Sequence, residues 1–534
     1  MSVSQPQDPT PTLINRKFPL PEDANTQAYK SYSYKSMRAN HWNKTVEAAQ
    51  TFNADRTLEI DRSGTLYKYA VFSKTMPHNS KGEVLKSSWD AMLADLRAGN
   101  TLASVPKGST GKFVNPQAAY SYVPMGSDPC ALNITVPPTF TSRTMAAEMA
   151  EVYEQALNRD TAFSVIESMT ANTAADRAVS VLNSFGSDFL GNKIGGVVTR
   201  KSLFRGTAMG CELGPYVSQF LYQDIPYGAL NIVQKYNTET GTPHGTTVSG
   251  YLDIQNGDAF DPDADLSGTF NYIHTPRVLG SYVHRDAVYQ AYLNAALILL
   301  GTGAAFDPNN PYLTNDREES FVTHNVADIL PLVANVSALA FRTAWAQKWG
   351  YHLRLRPEVM GCRVHHQEIG DTDYGIHADL IGSATITAVK AFNASSTSLL
   401  PLQYPEGSPA HPSYPAGHAV VAGACATVLK AFFDESVSIP SLMTVNHSVD
   451  GSSVAAYGGS TTGMTVGTEL NKLAANIAIG RDWAGVHYRS DGDYGMALGE
   501  KVAISFLEDV AVGYPESFSG FNLTKFDGTS IVIA

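Results

Sequence analysis

The stretch Ser408-Pro409-Ala410-His411-Pro412-Ser413-Tyr414-Pro415-Ala416-Gly417-His418, followed by the apolar run from Ala419 to Phe433, decides how the rest of the chain is read. Prolines and a glycine hold its first part non-helical. The run that follows is apolar on nearly every face, so it predicts a buried helix. A helix that starts at a glycine offers free backbone N–H groups and the positive end of its dipole, a setting suited to an oxyanion. His411 and His418 flank that point.

Outward from this helix the patterning stays helical. Val283, Ala287, Val288, Ala291, Tyr292, Ala295, Ala296 and Leu299 follow the 3.6-residue period and predict one helix running through them. Further helices are expected over 319–347, 374–393, 418–433, 466–480 and 490–508. Upstream, helical patterning covers Ser87 to Ala98 and Thr144 to Arg159, where Met145, Met149, Val152, Tyr153 and Leu157 share a face. Helices joined by irregular loops imply an all-α fold of two helical bundles, with long loops and minor β. The division expected is a polar N-terminal arm over 1–60, an N-terminal helical half over 61–280, and a C-terminal bundle over 281–534 that carries the site. The β-branched residues from Ser530 to Ala534 suit an edge strand or the cover of a partner. Asp261, Asp263 and Asp265 alternate as in a calcium loop. Leu266 stands where such a loop needs glycine and no acid closes it, so the segment reads as a turn, with a structural calcium kept only as an open alternative.

Composition removes several classes of function. A hydrophobic fraction of 43% and a charged fraction of 16% are those of a globular protein. The formal net charge of −12 argues against nucleic acid as a partner, because phosphate contacts need a basic face. Met1 to Glu22 is polar and proline-rich, unlike a secretory leader. Ala295 to Leu300 reads as the longest clean apolar stretch, far too short for a bilayer, so no membrane role is expected and the compartment stays open. Cys130, Cys211, Cys362 and Cys425 are widely spaced, which excludes a zinc knuckle and makes disulfides optional.

Two more clusters join the opening stretch. One is Lys348-Trp349-Gly350-Tyr351-His352-Leu353-Arg354-Leu355-Arg356-Pro357, and the other runs from Gly480-Arg481 through Gly485-Val486-His487 to Asp491. A multiply charged oxyanion needs guanidinium forks, an ammonium and backbone amides from several directions, together with an imidazole that reaches its central atom. Lys348, Arg356, Arg481, Gly417, His418 and His487 supply that set. Arg354 and Arg489 read as solvated or interface charges, and His365, His366 and His377 as packed or surface residues.

Together, Lys348…Arg356-Pro357, Pro415-Ala416-Gly417-His418 and Arg481…Gly485-Val486-His487…Asp491 resemble the three-part signature of vanadium-dependent haloperoxidases and the acid phosphatases of their superfamily. The resemblance is greatest to the bromoperoxidases of red algae and related bacteria, which show His-Pro-Ser-Tyr-Pro-Ser-Gly-His where this chain has His411 to His418 and share its eight-residue lysine-to-arginine spacing. Phe204-Arg205-Gly206 and Gly214-Pro215-Tyr216-Val217-Ser218-Gln219-Phe220 are also similar to that subgroup. The resemblance implies a vanadate cofactor, in a site that phosphate can occupy. It implies that hydrogen peroxide oxidises halide to a hypohalous-acid-like species, which halogenates small organic substrates. His487 becomes the metal ligand, with Asp491 orienting it. Lys348, Arg356, Ala416, Gly417, His418 and Arg481 complete the cofactor-binding set, and His418, His411 and Lys348 form the catalytic group. His411 stands where chlorinating relatives have an aromatic residue, which favours bromide. A homo-oligomer, a dodecamer by the same resemblance, is expected.

Two departures bear on the site. The family's serine in Pro-Ser-Gly-His is Ala416, and the serine that commonly precedes the third-motif arginine is Gly480. A lost hydroxyl bond to a charged oxygen costs roughly 1.5–3 kcal/mol, about ten- to a hundredfold in affinity. The alternatives are an acid phosphatase of the same superfamily and a degenerate phosphate-binding assembly protein.

Overall fold

The helix expected from the opening stretch runs Gly417–Phe432, and apart from His418 its residues are buried. The protein, seen here as a computed structural model, is described over residues 70–98, 100–121, 125–129, 132–168, 171–439 and 444–534. The N-terminal arm over 1–60 and Cys130 lie outside the described residues. The helices that build and flank the site are, in chain order, α1 (Arg143–Asn158), α2 (Pro276–Arg285), α3 (Gln290–Gly301), α4 (Val326–Trp345), α5 (Pro357–Glu368), α6 (Gly417–Phe432), α7 (Val466–Trp483) and α8 (Arg489–Gly513).

A helix apolar all round must be enclosed, and α6 packs against α4, α7 and α8. Glycines set how close α6 and α8 come. A Cβ on Gly423 would lie 2.0 Å from the Met496 carbonyl oxygen, and one on Gly499 2.1 Å from that of Val420. The backbones touch there, with no room for a side chain. The principal apolar core is contiguous from Ala70 to Ile533. Among the described residues the strands form four two-stranded antiparallel sheets, so the fold is all-α with minor β. The C-terminal residues behave as a strand: Phe521–Thr524 pairs with Ser530–Ile533, Phe521 opposite Ile533.

Several boundaries differ from the sequence expectation. The single helix expected from Val283 to Leu299 is two. Asp286 adopts extended backbone (φ −64°, ψ 144°), which ends α2, and α3 restarts at Gln290. Ala287 and Val288, which fit the period, are exposed in the break. The expected helices over 319–347 and 374–393 begin later, at Val326 and Ala384. α4 continues through a π-helical turn to His352, and this 27-residue helix, which contains an 18-residue window of mean hydropathy 1.3, is long and apolar enough to cross a membrane. Counting uninterrupted apolar residues overlooked it, because Asn335, Ser337 and Thr343 interrupt the run. In this fold it packs against α6 and α8, with 56% of its apolar window buried.

Residues 261–266 form the expected turn, where the Ala264 amide donates to the Asp261 carbonyl and the Leu266 amide to that of Asp263. Asp263 pairs with Arg285, and Asp265 with His244. Among the described residues no group of three or more His, Cys, Asp or Glu side chains gathers to hold a metal ion.

Candidate functional site

Lys348 leaves the π-helical turn after α4, Arg356 caps α5, and Arg481 lies in the last turn of α7. All three are buried, with side chains taken out of water at considerable cost. Lys348 Nζ donates to the Pro412 and Ser413 carbonyls at 2.6 and 2.8 Å. Arg356 donates to the carbonyls of His411 and Val486, at 3.1 and 2.7 Å, and to His411 Nδ1 at 3.0 Å. Arg481 Nη1 donates to the Val283 carbonyl at 2.8 Å, and its Nε is buried without a partner. Among the described residues none of the three is ion-paired; their bonds go to carbonyls, imidazole nitrogens and a hydroxyl. Burial, then the neighbouring Arg356 charge, pushes the Lys348 pKa well down, and burial brings Arg356 to about 9.

His487 sits just before α8. Its Nδ1 donates to Asp491 Oδ2 at 2.8 Å, one helical turn on, while Arg356 Nη1 donates to Nε2 at 2.9 Å. That arrangement fixes the tautomer and turns the Nε2 lone pair towards the cations. Burial, and then the charges of Arg356, Lys348 and Arg481, hold the ring well below its usual pKa, so it stays neutral. Ser413 Oγ donates to the same Asp491 oxygen, and the other carboxylate oxygen accepts from Arg354 at 2.7 Å. The Ala416 amide donates to the Asp491 carbonyl at 2.9 Å, tying the start of α6 to the start of α8.

Ala416 is the N-cap of α6 and caps nothing with its side chain. Gly417 opens the helix beneath Phe341 and Trp345, whose rings would stand 3.2 and 3.4 Å from a Cβ there. His411 lies 4.8 Å from the Trp345 ring, and burial followed by Lys348 and Arg356 keeps it well below its usual pKa. His418, at the rim, donates from Nε2 to Asp286 Oδ1 at 2.8 Å.

Known proteins resemble this chain in both sequence and fold. A family model of the VCPO second helical-bundle domain matches residues 331–512. A vanadium-dependent bromoperoxidase from Corallina pilulifera is 34% identical, covering 87% of this chain and 91% of that protein. The chain belongs to this family of vanadium-dependent bromoperoxidases. A relative of the same description from Corallina officinalis is also 34% identical, over 86% of this chain and 90% of that one. The solved homohexameric structure of the second vanadate-dependent bromoperoxidase from Ascophyllum nodosum matches with a TM-score of 0.82 at 27% identity, covering 95% of this chain and 90% of that one.

The residues present fit the cofactor such a family name implies. Three buried cations without ion pairs, an Arg481 Nε without a partner, a helix start with no side-chain cap and a neutral imidazole together suit an anion of several oxygens. Gly480 faces elsewhere: a Cβ there would lie 3.1 Å from both methyls of Val283, so glycine lets α2 approach α7. The structure thus brings Lys348, Arg356, His411, Ala416, Gly417, His418, Arg481 and His487 together.

Arg354 and Arg489 are corrections. Both are buried, not solvated: Arg354 bridges Glu148 and Asp491 at 2.9 and 2.7 Å, and Arg489 pairs with Glu151. Glu148 and Glu151 lie on α1, more than two hundred residues away, so no local spacing announces those two pairs. Asp286, Trp345 and Ser413 also escaped sequence reasoning. Ser413 lay in the decisive stretch itself, whereas Asp286 had no signal, being placed inside a helix that breaks there.

Proposed function

We propose that Lys348, Arg356, Arg481 and the first amides of α6 hold vanadate against His487 Nε2, and that the chain oxidises bromide with hydrogen peroxide. The observation that carries this reading is the buried, unpaired cation cluster around a neutral imidazole. When bound, vanadate supplies a Lewis acid that keeps its oxidation state and polarises peroxide towards attack by halide. The protein's residues do the rest. Asp491 and Ser413 fix the His487 ring so that Nε2 alone faces the pocket. The cations neutralise oxyanion charge in a site with little water, where each is worth more than in solution. Asp286 holds the Nε2 proton of His418, which leaves Nδ1 as the basic atom that accepts a proton from peroxide. His411, with Trp345 beside it, shapes the place where halide approaches, and the hypobromous-acid-like product leaves to halogenate small organic substrates.

Titration calorimetry with vanadate and monochlorodimedone bromination test this together. Wild-type protein binds vanadate and brominates in proportion to it; His487→Ala does neither, because no neighbouring residue replaces the metal ligand. Bromination by His487→Ala with vanadate refutes the assignment. Efficient p-nitrophenyl phosphate hydrolysis by vanadate-free protein, without bromination after loading, points instead to the phosphatase reading.

We also infer a homo-oligomer. A row of apolar residues stands exposed on the hairpin after Ile225, Leu230 at 65% and Ile232 at 43%, and a second copy is the natural cover. The Ascophyllum relative is homohexameric. Sedimentation decides between that number and a dodecamer, and a stable monomer at micromolar concentration refutes both.

A further inference from the structure

Next to Arg481, three segments meet at one histidine. His284 is in the last turn of α2, and its ring stacks on Tyr404, with centroids 3.7 Å apart and planes 10° from parallel. Both ring nitrogens reach carboxylates: Nδ1 lies 2.9 Å from Glu239 and Nε2 2.6 Å from Glu406. The charged and titratable groups facing it are Glu239, Glu406, Tyr404 and Arg285, whose Nη1 shares the same Glu239 oxygen. Glu239 is fully buried and takes a further bond from Gln403 Nε2 at 2.6 Å. Burial works against charge on His284, but its bonds to the two carboxylates outweigh it and raise its pKa.

Tyr404 carries this fixation into the site. Its hydroxyl donates to the Gly280 carbonyl at 2.8 Å, and its ring forms a small buried cluster with Ala484 and Val486, in the loop leading to His487. The Arg481 guanidinium carbon lies 5.3 Å from the Tyr404 ring centroid, and Nη1 lies 3.4 Å from its hydroxyl. The same nitrogen is held by the carbonyl of Val283, the residue before His284. Arg481 therefore rests on two supports, a tyrosine ring and a helix-end carbonyl, and His284 is stacked on the first and continuous in chain with the second.

We propose that His284 is a positioning residue for Arg481, setting how tightly the anion pocket grips its oxyanion without touching it. The inference rests on the anion-pocket reading above. Free rotation of Tyr404, or a slackened end of α2, lets the guanidinium drift, and loss of a supporting partner of this kind typically costs ten- to a hundredfold in affinity for the held group. Glu239 and Glu406 hold the imidazole from its two sides.

Titration calorimetry of the full chain with inorganic vanadate, and separately with inorganic phosphate, tests the proposal. The proteins are wild type, His284→Gln, His284→Ala, Tyr404→Phe, Arg481→Ala and the double variant His284→Ala/Arg481→Ala. Thermal unfolding and circular dichroism establish which of them fold. His284→Ala is expected to weaken both anions at least tenfold. Tyr404→Phe, which keeps the ring beneath the guanidinium, stays within about threefold of wild type. The deciding comparison is the double variant, because once Arg481 is gone removal of His284 changes affinity no further, which a general loss of stability does not produce. Additive losses in the double variant, or wild-type affinity in folded His284→Ala, overturn the proposal. Should His284→Ala not fold, His284→Gln takes its place in the same cycle and decides it on the same terms. Wild-type affinity in Arg481→Ala instead refutes the anion-pocket reading itself, so the two failures are told apart.

Discussion

Position 416 offers the sharpest test of the pocket, because one hydroxyl there has two calculable effects. Ala416 is fully buried at the N-cap of α6, in extended backbone (φ −64°, ψ 124°) that suits a capping serine. In Ala416→Ser the new hydroxyl has no water to satisfy it and must bond inside the protein. It accepts from a first-turn amide, as N-cap serines do, worth about 1 kcal/mol. Spread over the unfolding entropy of a chain this long, that raises Tm by only about 1 °C. Its proton is then free to donate to the bound oxyanion, and a hydrogen bond to a charged group is worth roughly 1.5–3 kcal/mol. The amide that now serves the hydroxyl is partly withdrawn from the anion, so the lower end applies: about tenfold tighter vanadate binding. Titration calorimetry with vanadate and phosphate measures the affinity, and thermal unfolding without anion measures the cap. An unchanged vanadate Kd refutes the reasoning. If Tm rises all the same, the hydroxyl caps the helix and position 416 does not touch the anion.

Asp286→Ala should lower the bromination kcat roughly ten- to a hundredfold through loss of His418 orientation, with vanadate affinity nearly kept; an equal loss of affinity in calorimetry argues for a wider collapse of the pocket. Arg354→Met leaves Glu148 and Asp491 buried without their cation, so urea unfolding should show about 3–5 kcal/mol lost. Burial pushes the Glu239 pKa up, but bonds from His284, Arg285 and Gln403 outweigh it and bring it down to about 2. A depressed folded pKa means stability that is full above the unfolded value of 4.5 and lost as pH falls towards 2, worth about 3 kcal/mol. Glu239→Gln should therefore trail wild type most near neutral pH, with the gap closing over that acid window; a gap independent of pH refutes the attribution.

The sequence carried the half of the site that is built from local order. Prolines and a glycine before an apolar run announce α6, and the residue spacings of the three motifs announce the cations and His487, because each motif lies on one loop or helix end. What sequence did not carry, Asp491 apart, is the other sign of charge. Asp286, Glu148, Glu151, Glu239 and Glu406 come from segments scattered from α1 to the loop before His411, and each meets its partner only through tertiary packing. The period over Val283 to Leu299 was misleading for the same reason. Ala287 and Val288 fit a helix, yet α2 ends where Val283, His284 and Asp286 are pulled to Arg481, Glu239, Glu406 and His418. The two halves of the charge pattern explain each other. A chain with a net charge of −12 keeps three cations buried and unpaired at one point. The carboxylates around it are spent on other partners: Asp491 on Arg354 and His487, Glu358 on Lys74, Asp286 on His418, and Glu239 and Glu406 on His284. Were any of them free to reach Lys348, Arg356 or Arg481, the pocket would close on an internal salt bridge and have no charge left for an oxyanion. These spent carboxylates, of which sequence placed only Asp491, are what keep the pocket open to an external anion.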